Sequence, residues 1–192
     1  MLDTLRFARP SLEYADAFGD WVEDWRGDAY EAYPGTFAIA WSDFAGYVAL
    51  CKRMRFAAIP PFDVPLDAFW AFEGTSLVGE LYVFYEPMDH DNNIGYKVRP
   101  SHRGRGIATA LTKHGIELLR ERGCTVARLT CNGENLASAA VIERCGGRRG
   151  EDRGKPNGTV LRRYVIPIPN EGSINEAGAN AGKAHGGNAI TG

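Results

Sequence analysis

Several features are missing from this 192-residue sequence. No apolar run approaches the roughly 20 residues that a membrane helix requires, so no membrane partner is expected. The opening "MLDTLRFARPSLEY" has no basic stretch leading into an apolar one, which argues against a secretory signal and favours a cytoplasmic location. There is no C-x-x-C. The four cysteines, Cys51, Cys124, Cys131 and Cys145, are irregularly spaced, so free thiols are expected rather than disulfides or a zinc site. Only four histidines occur, with no pair at i, i+4, and no metal is expected. A surplus of positive charge is also absent. The net charge is −2, which speaks against a nucleic-acid partner.

The charge that is present is unevenly placed. Residues 1–95 hold 16 Asp and Glu against 6 Lys and Arg, a balance of −10, and residues 96–192 hold 8 against 16, a balance of +8. Such asymmetry steers ligands rather than setting a fold. The acidic half favours a cationic acceptor.

Periodicity gives the order β-α-α-β-β-β-α-β-α-β-β. "TLRFARP" alternates and stops at Pro10, and Ser11 is placed to cap a helix reaching about Asp24. Ser42 can cap a second helix, "DFAGYVALCKRMR". "IPPFDVP" carries too many prolines for regular structure. Two aromatic and β-branched runs flank "EGTS", a hairpin signal. After the polar "EPMDHDN", "NIGYKV" is a strand that Pro100 ends. Gly104–Arg122 has helical spacing, with Gly123 as its stop. "TVARLTC" is a strand, Asn135 can cap "LASAAVIERC", and two strands joined through Asn157-Gly158 close the pattern. Residues 170–192 contain only Ile174 and Ile190 as large apolar residues and are expected to be a disordered tail. One domain, residues 1–169, is expected, of α/β (α+β) class.

The stretch "VRPSHRGRGIAT" joins a strand to the long helix. The first turn of a helix has N–H groups without internal partners, and its dipole favours an anion. Glycines let a ligand come close to backbone, and Arg103 and Arg105 add charge, so a diphosphate is the economical ligand. A P-loop needs G-x-x-x-x-G-K-[ST], which is absent. The dinucleotide fingerprint fails too, because Gly104, Gly106 and Thr109 give G-x-G-x-x-T and no acid ends the next strand.

In context, Arg103, Gly106 and Ala108 resemble the R/Q-x-x-G-x-G/A signature of the GNAT superfamily of acyl-CoA N-acyltransferases. "V-R-P" is similar to the family's V-x-P, and "CNGENLASAAVIERCGG" to its N-x-x-S-x-x-V-x-E-K-x-G segment. The likeness is firm over Leu77–Gly147 and extends from Leu5 to Pro167. It implies a GNAT fold: a mixed, mostly antiparallel, twisted sheet of six to seven strands flanked by about four helices. It also implies acetyl-CoA as co-substrate, direct attack by an amine, no metal, and often a homodimer. Two neighbouring strands would splay beyond a bulge near V-x-P, so that pantetheine pairs with the backbone of Tyr96, Lys97 and Val98. The Val98 N–H would donate to the thioester oxygen. Arg103, Gly104, Arg105, Gly106, Ile107, Ala108 and Thr109 would surround the diphosphate, while Asn135 and Ser138 would touch the pantetheine arm or adenosine side.

Two departures stand out. Many members have a Tyr seven residues after the Asn to protonate the thiolate, and here Ile142 stands there. Many use a Glu on the fourth strand as base, and here Asn92 or Asn93 occupies that region. Glu80, His90 and Asp91 are the remaining base candidates, and Tyr96 is a candidate acid. Those departures also fit a CoA-binding sensor or interaction module without catalysis. The acceptor site is expected among the N-terminal helices, "IPPFDVP" and the C-terminal hairpin, a region rich in aromatics (Trp21, Trp25, Tyr30, Tyr33, Trp41, Phe62 and Trp70), most of which core packing explains.

Overall fold

The computed structural model describes residues 5–28, 43–60, 62–86, 92–155 and 157–169. His90, Asp91, Tyr30, Tyr33, Trp41, Ser42 and the tail from residue 170 lie outside them.

Strand β1 (Arg6–Ala8) is followed by a 3-10 turn (Leu12–Tyr14) and helix α1 (Ala15–Asp24). Ser11 makes no side-chain cap, because the chain enters α1 through that turn rather than directly. Helix α2 (Phe44–Met54) is capped by Asp43, whose Oδ1 accepts from the Gly46 N–H at 2.8 Å. Strands β2 (Asp67–Glu73) and β3 (Ser76–Val83) form the expected hairpin, turning at Gly74 with φ of 60°. β4 (Ile94–Val98) pairs antiparallel with β3.

The long helix, α3 (Ile107–Glu121), begins later than its glycines suggested. Gly104 and Gly106, at φ of 76° and 84°, form the left-handed entry, and Gly106 is the N-cap. β5 (Val126–Asn132) and α4 (Leu136–Arg144) follow, with Asn135 Oδ1 accepting from the Ser138 N–H at 2.9 Å. The C-terminal hairpin has an interrupted first arm, β6 (Arg148–Arg149) and β7 (Arg153–Gly154), against β8 (Val160–Pro167). Both short strands pair with β8.

The strands make two sheets, β1-β2-β3-β4 and β5-β8-β6, with β7 on β8. One core lies beneath α3 and α4 and spans both sheets, from Phe69 and Leu81 to Leu129 and Tyr164. Small residues allow close approach there: a Cβ at Gly115 of α3 would sit 3.0 Å from Ile94 Cδ1. The second core, under α1 and α2, is aromatic. Trp21, Trp25 and Trp70 belong to it at 4%, 4% and 1% exposure, so they are packing residues, as expected of most aromatics in this region. All four cysteines are free. No helix among the described residues is long and apolar enough to cross a membrane.

Candidate active site

The two sheets meet at β4 and β5 without a shared ladder. A pair of asparagines pins them at one end only. The Asn93 N–H donates to the Arg128 carbonyl at 2.7 Å, and Asn93 Oδ1 accepts from the Arg128 N–H at 2.9 Å. Asn93 Nδ2 donates to the Phe84 carbonyl at 2.9 Å, and Asn92 Oδ1 accepts from the Thr130 N–H at 3.0 Å. The asparagines that stand where a base was sought are therefore clasps. An amide suits this place because it can donate and accept at once, which a carboxylate cannot. Two adjacent asparagines just before a strand were the available signal.

Beyond the clasp the strands separate. Phe84 donates to the Asn93 carbonyl, and Arg99 donates to the Val78 carbonyl at 3.0 Å. The alternation of an antiparallel ladder then turns the backbone groups of Ile94, Tyr96 and Val98 away from β3, toward the gap. The expected bulge is elsewhere. The β3–β4 register is continuous, and the shift lies between β2 and β3 at Ala71/Phe72.

The mouth of α3 stands at the end of β4. Its first helical hydrogen bond runs from the Ala110 N–H to the Gly106 carbonyl, leaving the N–H groups of Ile107, Ala108 and Thr109 without intrahelical acceptors. Thr109 Oγ1 is buried with no hydrogen-bond partner among the described residues. A phosphate group suits such donors. The two arginines are not surplus charge, however. Arg103 is bidentate on Asp28 at 2.7 and 3.2 Å, and Arg105 holds Glu73 at 2.7 and 2.8 Å. An incoming anion competes with those carboxylates for the guanidinium groups, while the backbone donors need no such exchange. Arg103 also lies 5.1 Å from the Trp25 ring, as does Lys97 at 5.6 Å.

On the side of the gap facing α4, the Tyr96 hydroxyl lies 2.9 Å from Ser138 Oγ. Burial pushes the Tyr96 phenol up to about 12, with Ser138 partly opposing and Cys131 reinforcing, so it is protonated at neutral pH. Ile142 is 1% exposed, and a Cβ on Gly147 would come within 2.6 Å of its Cγ2. That position is part of the core, with no room for a tyrosine ring. Cys131 is held above the usual thiol range, chiefly by burial, and so is a poor nucleophile.

On the opposite side, Glu80 is 2% exposed. Its Oε1 accepts from the Tyr47 hydroxyl and from Trp70 Nε1 at 3.1 Å, and the Tyr47 and Tyr82 hydroxyls are 2.9 Å apart. Lys97 is its cross-strand neighbour. Burial lowers the Lys97 ammonium to about 8, against the attraction of Glu80. Of the three base candidates, Glu80 alone falls among the described residues. It is sealed under aromatic rings, and the Tyr47 and Tyr82 hydroxyls that adjoin it are buried as well.

No curated protein matches this sequence. Solved structures share the architecture. An acetyl transferase from Salmonella typhimurium that modifies the N-terminal serine of a 50S ribosomal subunit protein superposes with a TM-score of 0.65 at 16% identity, over 86% of this chain and 96% of its own. The microcin C7 self-immunity acetyltransferase MccE, in complex with acetyl-CoA and AMP, gives 0.62 at 17% identity, over 86% and 93%. The GNAT domain of S. lividans PAT gives 0.57 at 16%, over 86% and 92%. At such identities the likeness establishes the fold. The model of the acetyltransferase (GNAT) family matches residues 5–147, three quarters of the sequence, and the chain belongs to that family.

Proposed function

We propose that this protein moves an acetyl group from acetyl-CoA to a primary amine by direct attack. One observation carries the reading: β4 and β5 are clasped by Asn92 and Asn93 and then part, leaving the backbone of Ile94, Tyr96 and Val98 turned into the gap beside a glycine-opened helix mouth. A pantetheine arm has the amide groups to continue the β4 ladder there. The backbone from Gly104 to Thr109 would hold the diphosphate, with Arg103 and Arg105 recruited from their carboxylates. The Asn135 side-chain amide and the Ser138 hydroxyl would steady the arm.

Val98 N–H would donate to the thioester oxygen as the amine nitrogen bonds to the carbonyl carbon and the carbon–sulfur bond breaks. The acceptor is an ammonium cation at neutral pH and must first lose a proton. Glu80 through its tyrosines, His90, Asp91 or water would accept it. The protonated Tyr96 hydroxyl, beside Ser138 on the α4 side of β4, would return a proton to the departing thiolate in the role that Ile142 leaves empty.

The test is release of free CoA from acetyl-CoA with a panel of primary amines, and mass spectrometry of the product. Glu80→Gln, His90→Gln and Asp91→Asn variants then locate the base, whose loss costs roughly a hundredfold or more in kcat. Acetyl-CoA binding with no transfer to any amine would leave a CoA-binding module without catalysis.

A further inference from the structure

Glycine inside a strand gives up backbone entropy and side-chain packing, so it needs a reason to be there. Gly79 of β3 has one. A Cβ there would stand 2.9 Å from Leu111 Cδ1 and 3.3 Å from Ile107 Cγ2, so its absence lets α3 lie on the sheet. Gly95 of β4 has no such reason among the described residues. Its φ is not positive, unlike those of Gly74, Gly104 and Gly106. The ladder runs unbroken through Val83–Ile94, Tyr82–Gly95 and Leu81–Tyr96, so there is no bulge to accommodate. A Cβ at Gly95 would meet Tyr82 Cβ at 3.9 Å, an ordinary contact. A small side chain would fit without strain, and yet the position is bare.

The bare face is the one turned away from α3. Ile94 sits in the core under α3 and α4, with Tyr96 and Val98 packed against it, so alternation sends Gly95 and Lys97 to the opposite face. Tyr82 and Glu80 are their neighbours on β3. The aromatic core under α1 and α2 includes Tyr82 but no residue of β4, and Gly95 is half-buried. β4 is also the last strand of its sheet, so the β4–β5 gap borders it on the other side. The Asn93 clasp lies two residues before Gly95, and Val98, the proposed donor to the thioester oxygen, three residues after. The missing side chain therefore leaves a notch across the edge strand, between the face that carries Glu80 and the gap.

We infer that the acceptor crosses β4 at Gly95, and that this notch selects an amine borne on an unbranched methylene chain over one borne on a branched carbon. This rests on the amine-acetylation reading above and names its substrate class. The next positions on this face, 93 and 97, are each about 7 Å away along the strand. One methylene chain in van der Waals contact, at about 4 Å between carbons, fills that width, and a second substituent on the amine carbon does not fit. A chain crossing there carries its amino group past Glu80 toward Val98. It arrives from the face opposite Tyr96 and Ser138, where the pantetheine arm is placed.

The experiment compares Gly95→Ala and Gly95→Val with the wild type in melting temperature, acetyl-CoA affinity by calorimetry, and acetylation of butylamine and 2-aminobutane. A Cβ added to an unstrained strand glycine should leave the melting temperature of Gly95→Ala at or above the wild-type value. Acetyl-CoA affinity should be unchanged, because the donor lies on the other face. For butylamine, kcat/KM should fall about tenfold in Gly95→Ala, mostly through KM, and further in Gly95→Val, as overpacking a close-fitting passage requires. In the wild type, butylamine should exceed 2-aminobutane by about tenfold or more once the uncatalysed rates are divided out. A lower melting temperature in Gly95→Ala would make the glycine structural, and weaker acetyl-CoA binding would place it on the donor side. Either result, an unchanged kcat/KM for butylamine, or equal use of the branched amine overturns this inference and leaves the acetylation reading standing. Transfer to no amine by the wild type overturns both.

Discussion

Glu80 is a carboxylate with almost no water around it, kept there by two neutral donors and a lysine across the strand. Burial without those partners would be costly for a charge. Its influence on Lys97 is open to measurement. Burial depresses the lysine to about 8, and Glu80 pulls the other way. Glu80→Gln should therefore move the Lys97 midpoint below 8, read from its side-chain NMR shifts across pH. An unchanged midpoint would mean that the two groups do not sense each other. Asp67 gives a residue-scale test of stability. Burial opposes its ionisation, but Arg9 at 3.1 Å, Tyr85 at 3.0 Å and Arg55 at 2.8 Å outweigh this and hold it below the usual carboxylate range. A depressed folded value contributes stability that is complete above the unfolded value of about 3.9 and is lost as pH falls through the folded one. Asp67→Asn should cost about 2 kcal/mol at pH 7, below the range for fully buried pairs because both arginines are roughly a third exposed. Urea unfolding at pH 7 and pH 3 checks this: the difference between wild type and variant should narrow at the lower pH.

At the level of elements, the break between β4 and β5 depends on one side chain that meets two backbone groups, the Arg128 N–H and the Phe84 carbonyl. Asn93→Leu keeps the volume but strands the Arg128 N–H and the Phe84 carbonyl. Each unmet buried group costs about 1–3 kcal/mol, so a loss of at least 2 kcal/mol and faster hydrogen exchange at the Arg128 amide are expected. The mouth of α3 depends on backbone shape. Gly106 sits at φ of 84°, where a side chain is strained by roughly 1–2 kcal/mol, and Gly106→Glu adds a negative charge beside the proposed diphosphate site. Acetyl-CoA affinity should fall at least tenfold by calorimetry, and a folded variant with wild-type affinity would remove the phosphate reading. Much of this was legible in the sequence. Glycine spacing marked the α3 entry, Asn135 marked the α4 cap, and the aromatic and β-branched runs around "EGTS" marked the β2–β3 hairpin, because each is fixed by local backbone chemistry. The clasp was not legible, since Asn92 and Asn93 act on Arg128 and Thr130 some 35 residues away in sequence. Nor were the carboxylate partners of Arg103 and Arg105, which come from the end of α1 and the β2 turn. Core packing, expected for most aromatic residues of the first half, accounts for Trp21, Trp25 and Trp70.

Across the whole molecule, one core is shared by both sheets and a second serves the first sheet alone. The core under α3 and α4 thus runs beneath both sheets and across the β4–β5 break, while the aromatic core stays with the first sheet. The acidic half of the sequence supplies β1 to β3 with α1 and α2, the basic half supplies α3, β5, α4 and β6 to β8, and β4 straddles the two. Donor and acceptor can then approach a shared gap from different directions, as direct transfer requires. Acetyl-CoA is proposed to occupy the gap and the α3 mouth together. Backbone amide shifts followed by NMR as acetyl-CoA is added test it most directly. Tyr96, Val98 and the amides from Gly104 to Thr109 should move together with Asn135 and Ser138, saturating on one binding curve, while the far ends of α3 and β8 stay still. Binding that leaves Val98 and Gly106 unmoved and shifts another surface instead would contradict it.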